Sequence, residues 1–278
     1  MWTDRNWMGA LDDHKSLAQF SIPGTHNSGA LHEPFHGTSQ CQHLTISEQL
    51  AAGVRYLDIR CRHVDDAFAI YHGPISQNIT FADVLDVCTK FLAGNPSECI
   101  IMSIKEESVP SHNTRTFEDT FNSYVAKDPR RWMLGAEVPI LRGAKGKIVL
   151  IRQFPTRNLP KGLDATIWPV NSTFTIDGPA KLRVQDNYIV QNNPGKLAAI
   201  QNFYGEAASA SSDTLYLNFT SGYRRGSLGF PDIRIVSEYI NPAISQYFSA
   251  NRRGRFGVSV MDFVDEALCA LIIATNHA

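Results

Sequence analysis

Two histidines and one arginine occur where short apolar runs end. His26 lies in SIPGTHNS (21–28), just past a Pro-Gly pair that takes the backbone sharply out of the run before it. His72 lies in IYHGP (70–74), ahead of a Gly-Pro pair. Arg60 closes VRYLDIR (54–60), two residues after Asp58, so strand alternation puts both charges on one face. Two histidines and an arginine are a minimal set for breaking a phosphodiester. A neutral imidazole takes the proton of an attacking hydroxyl, and a protonated one gives a proton to the leaving oxygen. The planar guanidinium makes paired, charge-assisted bonds to the phosphoryl oxygens. An ordinary histidine pKa of about 6.5 keeps both protonation states accessible. Asp262, in SVMDF (259–263), could hold His26 in one tautomer, as in a catalytic triad. Each residue also has a plainer reading. His26 would be a hydrogen-bonding turn residue, Asp58 with Arg60 a buried ion pair, and Asp262 the N-cap of the helix that follows.

Such groups act together only if the fold brings them to one place. Strand-like runs rich in Val, Ile, Leu and aromatics fall at 17–22, 54–59, 68–71, 99–104, 148–151, 215–219 and 256–261. Helical patterns fall at 45–52, 117–125, 196–209, 239–250 and 264–273. Another opens on a capping box, Thr80 with Asp83, carries an apolar stripe from Phe81 to Phe91, and stops at Gly94-Asn-Pro96. Alternating strands and helices predict a parallel sheet, and seven or eight strands in one undivided chain favour a closed α/β barrel. Polar residues gather at or just after the runs: His26, Arg60, His72, Lys105, Glu107, Arg152 and Asp262. In a barrel the C-terminal strand ends share one face, which carries the chemistry.

Composition narrows the choice. The chain has 278 residues, 43% of them hydrophobic, with 26 Lys and Arg against 27 Asp and Glu. It is too apolar and too balanced for a disordered chain, and not basic enough for a general polyanion binder. The longest apolar run, 267–275, is too short to cross a bilayer. No linker, repeat or low-complexity tract appears, so one domain over 1–278 is expected. The arginine pairs at 130–131, 224–225 and 252–253 are dispersed, which argues against a nuclease and for no nucleic-acid partner. Five cysteines, an odd number, include no CxxC; Cys88 and Cys99 are close enough to pair, and buried thiols are the alternative. Residues 1–10 show no leader pattern, which leaves a cytosolic chain or a removed leader.

SIPGTHNSG (21–29), GVRYLDIRCR (53–62), IYHGP (70–74), NPSECIIMSIKEE (95–107), GKIVLIRQF (146–154), VQDNYIV (184–190), LYLNFTS (215–221), YINP (239–242) and VSVMDF (258–263) together resemble the secreted bacterial phosphatidylinositol-specific phospholipase C family, of the metal-independent type. The stretches follow family order along nearly the whole chain. The resemblance implies an α/β fold, a distorted, incompletely closed TIM barrel. It implies attack of the inositol 2-hydroxyl on phosphorus, giving diacylglycerol and inositol 1,2-cyclic phosphate. By position, His26 resembles the general base, His72 the general acid, Arg60 the phosphate-binding arginine, Asp262 the partner of the base and Asp58 a supporting carboxylate. Lys105, Glu107, Arg152, Asp186 and Tyr188 match the inositol pocket. The family implies no cofactor and no metal, an extracellular enzyme whose leader is absent from this chain, a monomer, and peripheral contact with membranes containing phosphatidylinositol.

One position departs from the pattern. Asn27 stands where the bacterial motif has Asp, and calcium-dependent relatives place a metal-binding Asn there. Asn27 is therefore expected to bond the phosphate or Arg60, with a calcium ion near Asn27 and Asp58 as the alternative. Calcium needs about six to eight oxygen ligands, and Arg60 already puts a positive charge there. The Gly-rich segment 221–231 suggests a membrane-dipping loop through Tyr223, Leu228 and Phe230, with Phe35 beside it. The rival readings are a non-catalytic phosphoinositide-binding module and a metal-dependent glycerophosphodiesterase. The first is disfavoured because His26, His72 and Arg60 all remain, the second because no extra carboxylate cluster lies near Arg60.

Overall fold

The structure is a computed structural model that describes residues 5–226 and 229–277. Its strands are β1 (Ile22–Thr25), β2 (Tyr56–Val64), β3 (Ala67–His72), β4 (Ile75–Thr80), β5 (Ile100–Glu106), β6 (Trp132–Met133), β7 (Ile148–Gln153), β8 (Leu163–Asp164), β9 (Ser172–Ile176), β10 (Lys181–Asp186), β11 (Thr214–Phe219), β12 (Arg224–Arg225), β13 (Pro231–Asp232) and β14 (Val258–Met261). The main sheet runs β6-β7-β5-β2-β1-β14-β11-β10-β9. Every neighbour from β6 to β10 is parallel, and β9 is antiparallel to β10. Among the described residues β6 and β9 do not pair, so the sheet curls without closing. The architecture is a distorted, incompletely closed TIM-like barrel. Alternation alone pointed to a closed one.

Helices α1 (Ile46–Ala51), α2 (Phe81–Gly94), α3 (Phe117–Val125), α4 (Leu141–Ala144), α5 (Asn193–Ser209), α6 (Arg234–Ala250) and α7 (Glu266–Ala274) lie between the strands. Three of them start on reciprocal capping boxes, Thr45 with Glu48, Thr80 with Asp83 and Thr116 with Asp119. Each box satisfies N–H groups that the first helical turn leaves free, and losing an N-cap typically costs about 1 kcal/mol. One apolar core runs from Trp7 to Ile273. At its edge Arg55 and Glu98 form a fully buried pair, 2.8 Å apart.

Two expected elements differ. The run at 17–22 is not a strand: Leu17–Gln19 is a 3₁₀ turn, and β1 begins at Ile22 with Pro23 and Gly24 inside it. Pro23 is tolerated because pairing with β2 starts only at Gly24. Gly24 is required because a Cβ there would sit 2.9 Å from Tyr56 Cβ and 3.0 Å from Val258 Cγ1. The run at 68–71 is not a barrel strand either. The second half of the long β2 leaves the sheet and pairs antiparallel with β3, which pairs with β4. Phe68 anchors this hairpin by stacking on Phe117, centroids 4.1 Å apart, and on Tyr124. All five cysteines are buried and stand outside any disulfide among the described residues, so Cys88 and Cys99 do not pair.

Candidate active site

β1 delivers His26 beside the end of β14, where its N–H donates to Met261 O at 2.9 Å. That register puts His26 Nδ1 2.7 Å from Asp262 Oδ1, and Gly222 N–H donates to Asp262 Oδ2 at 3.2 Å. Asp262 is buried, and Asn241 Nδ2 of α6 donates to its carbonyl at 2.9 Å. Buried Gln42 ties the two strand ends together, donating from Nε2 to His26 O and Met261 O, each at 2.9 Å. A carboxylate can only accept, so Nδ1 carries the proton and Nε2 offers its lone pair.

Arg60 stands on the inward face of β2, as alternation required. Its Nε donates to Asp58 Oδ2 at 3.2 Å, and Nη1 lies 3.9 Å from Glu107 Oε1. Burial opposes charge on Arg60, but Asp58 and Glu107 outweigh it and raise its pKa. Burial likewise opposes ionisation of Asp58 and of Glu107. Burial is the largest single effect in both, but Arg60 together with His26 and the Asn27 N–H at Asp58, and with Lys105 and the Gly73 N–H at Glu107, outweighs it, so both carboxyls titrate below their ordinary values. The Gly73 N–H, donating to Glu107 Oε1 at 2.9 Å, ties the β3–β4 hairpin to this cluster.

His72, at the end of β3, donates from Nδ1 to Ser39 O at 2.8 Å, and Cys41 Sγ lies 3.7 Å from the same nitrogen. Its ring centroid is 6.3 Å from that of His26, edge on. Burial, with Arg60 and His26 nearby, pulls its pKa down to about 4 against the opposing pull of the Ser39 carbonyl.

These groups line a cleft of about 400 Å³ at the C-terminal strand ends, with Lys105, Glu107, Asp186 and Tyr188 on its walls. Trp168 Nε1 donates to Asp186 Oδ2 at 2.9 Å. The structure therefore brings most of the expected catalytic and ring-binding residues to one cleft. Arg152 is not among them. It pairs with Ile104 on the outer face of the sheet and is spent on Lys161 O, Phe154 O and Asp164. The next residue, Gln153, pairs with Lys105, points inward and lines the cleft. Asn27 does not reach Arg60. Its Nδ2 lies 3.3 Å from His26 Nε2, and its N–H donates to Asp58 Oδ2 at 3.1 Å from a left-handed φ of 43° that Asn tolerates. Arg60 already occupies Asp58 Oδ2.

Of the described residues expected to meet the membrane, Tyr223 lies deepest. It is half-buried in the cleft wall, and its ring sits 6.2 Å from that of Tyr188. Phe35 and Phe230 are 74% and 66% exposed and border one apolar groove beside the cleft. Leu228 lies outside the described residues. Sequence reasoning missed Gln153, Trp168, Gln42 and the floor residue Phe219. For Gln153 the signal was there, since 149, 151 and 153 alternate on the inward face.

The family model for phosphatidylinositol-specific phospholipase C, X domain, matches residues 14–154. A 1-phosphatidylinositol phosphodiesterase of Staphylococcus aureus (strain Newman) is 32% identical over 275 residues, covering 93% of this chain and 88% of the relative. One of Listeria monocytogenes is 31% identical over 289 residues, covering 99% and 86%. A solved mutant of the S. aureus phosphatidylinositol-specific phospholipase C superposes with a TM-score of 0.87 at 30% identity, covering 98% of this chain and 96% of that one. Another S. aureus structure, from work on modulating that enzyme's membrane binding, gives 0.86 at 29% identity, covering 98% and 97%. By sequence, by fold and by the length of the match, this chain belongs to the phosphatidylinositol-specific phospholipase C family.

Proposed function

We propose that this chain cleaves phosphatidylinositol to diacylglycerol and inositol 1,2-cyclic phosphate. The observation that carries the reading is the convergence of the His26–Asp262 pair, Arg60 and His72 on one cleft in a member of this family. His26 Nε2 takes the proton of the inositol 2-hydroxyl, displacing the Asn27 amide from that lone pair. The 2-oxygen attacks phosphorus while the bond to the glycerol oxygen breaks. Asp262 stabilises the imidazolium that forms. Arg60 neutralises the phosphoryl oxygens, and its link to Asp58 fixes the guanidinium plane. His72 donates its Nε2 proton to the leaving glycerol oxygen. Water attack in the reverse sense, with the two histidines exchanging roles, opens the cyclic product slowly.

Lys105, Glu107, Asp186 and Tyr188 are proposed to bind the ring, with Gln153 taking the place assigned to Arg152. Charged partners for the hydroxyls and a flat aromatic face suit a polyol, and a substrate lacking those hydroxyls would leave buried charges unpaired. Phe35 and Phe230, with Val170 76% exposed on the cleft rim, give the mouth an apolar border suited to a lipid surface. The chain is proposed to act outside the cell as one catalytic unit and a monomer, with Arg60 supplying the charge that a metal would otherwise bring. Phosphorus NMR of phosphatidylinositol vesicles with enzyme and chelator tests these points together. A cyclic phosphate resonance is expected. Its absence until calcium is restored would overturn the metal-free reading, and a monoester as the first product would overturn the mechanism.

A further inference from the structure

His72 is held through its Nδ1 by a backbone carbonyl. Among the described residues no carboxylate contacts its Nδ1; the backbone carbonyl of Ser39 does, at 2.8 Å. A carbonyl orients an imidazole only as well as the chain holding that carbonyl is itself fixed. Ser39 lies in the irregular segment 30–42, whose base is closed by Cys41 and Gln42 N–H groups donating to Ala30 O. Inside the segment, Ser39 Oγ donates to His32 O at 3.1 Å. His32 N–H donates to Gln77 Oε1 at 2.8 Å. Gln77 and Ser39 are 3% and 2% exposed, so neither exchanges these bonds freely with water. Gln77 sits on β4, in the hairpin whose other strand carries His72. The hairpin thus holds the histidine on one strand and, through the other, pins the loop whose carbonyl aims it.

We propose that Ser39 and Gln77 are positioning residues for the general acid, a relay from Gln77 through the His32 peptide and Ser39 to His72 Nδ1. The inference rests on His72 being that acid. Fixing Nδ1–H on Ser39 O leaves Nε2 as the nitrogen that carries and releases the catalytic proton into the cleft. The relay takes over an orienting task that a carboxylate often performs.

Leaving-group dependence separates this role from a structural one. An alkyl leaving oxygen needs protonation as it departs, whereas a nitrophenolate departs without it. The experiment compares kcat for an alkyl and a p-nitrophenyl ester of inositol 1-phosphate. The variants are Ser39→Ala, Gln77→Leu and Gln77→Glu, with His72→Ala as reference. General acid catalysis is worth about 10²–10⁴, so His72→Ala is expected to lose that much on the alkyl ester and far less on the aryl ester. Ser39→Ala and Gln77→Leu are expected to lose about 10–100-fold on the alkyl ester, the scale of a small misplacement of a reacting group, and under about 3-fold on the aryl ester. Gln77→Glu keeps an acceptor for His32 N–H and is expected to restore alkyl turnover. Sustained aryl turnover doubles as the check on folding. Equal losses on both esters in the relay variants, or none on either, would overturn the relay while His72→Ala still discriminates. If His72→Ala itself loses both esters equally, the acid assignment fails and the relay with it.

Discussion

Binding a phosphodiester should pull a proton onto His72. In the free protein its pKa lies at about 4, mainly because burial disfavours the imidazolium and Arg60 repels it. At neutral pH about one molecule in 10³ is then protonated, a poor state for a general acid. The substrate brings a negative phosphoryl group into the same cleft. Two opposite unit charges about 5 Å apart at an effective dielectric of about 20 attract by about 3 kcal/mol. That amounts to about two pKa units, which would carry His72 to about 6 in the complex. The sign follows directly. A pKa raised by binding means that the extra affinity is fully present below the free value and is lost as pH rises through the complexed value. A non-cleavable phosphonate analogue, monoanionic throughout, should bind about 10²-fold more tightly through this effect below pH 4 than above pH 7. Nitrogen-15 NMR of labelled imidazoles reads the titration, and calorimetry in buffers of different ionisation enthalpy counts the proton taken up near pH 5. His72→Asn should flatten that pH dependence. A free-state pKa near the ordinary histidine value, or a shift on binding of less than about half a unit, would refute the reasoning.

Other outcomes follow from the same geometry. Asp262→Asn leaves an isosteric side chain that can reverse the His26 tautomer, so kcat should fall by about 10³-fold or more with little change in thermal midpoint; loss below about 10-fold would show that Asp262 acts only as a helix-proximal structural group. Phe35→Ser with Phe230→Ser should weaken partition onto phosphatidylinositol vesicles about 10-fold or more while turnover of soluble inositol 1,2-cyclic phosphate stays within about 2-fold. Unchanged sedimentation with vesicles would remove these two rings from the lipid contact.

Much of the site was legible because its logic is local. Asp58 and Arg60 share a face by strand alternation, and no packing partner can change that parity. The capping box at Thr80 reads directly from four residues and forms as written. Arg152 shows the limit. It was chosen for its charge at a strand end, but it has the opposite parity to Lys105, and its register with Ile104 turns it outward. Tyr223 was grouped with its loop neighbours by composition, yet a parallel bridge between Ile189 and Tyr223 seats it beside Tyr188 in the cleft wall.

The sequence by itself determined the candidate reacting groups, their order along the chain, the alternation of strands and helices, and the near-zero charge that excludes a polyanion binder. These depend on residue type and short-range periodicity, which no distant contact alters. Tertiary structure decided what depends on segments far apart meeting. It set the 2.7 Å pairing of His26 with Asp262 across 236 residues, and the opening between β6 and β9. It also set the placing of His72 on a hairpin outside the barrel wall, and the choice of a carbonyl rather than a carboxylate to hold it. Burial, too, belongs to the tertiary structure: one imidazole sequence can titrate near its ordinary value or near 4, and only the surrounding low-dielectric packing and the guanidinium beside it choose.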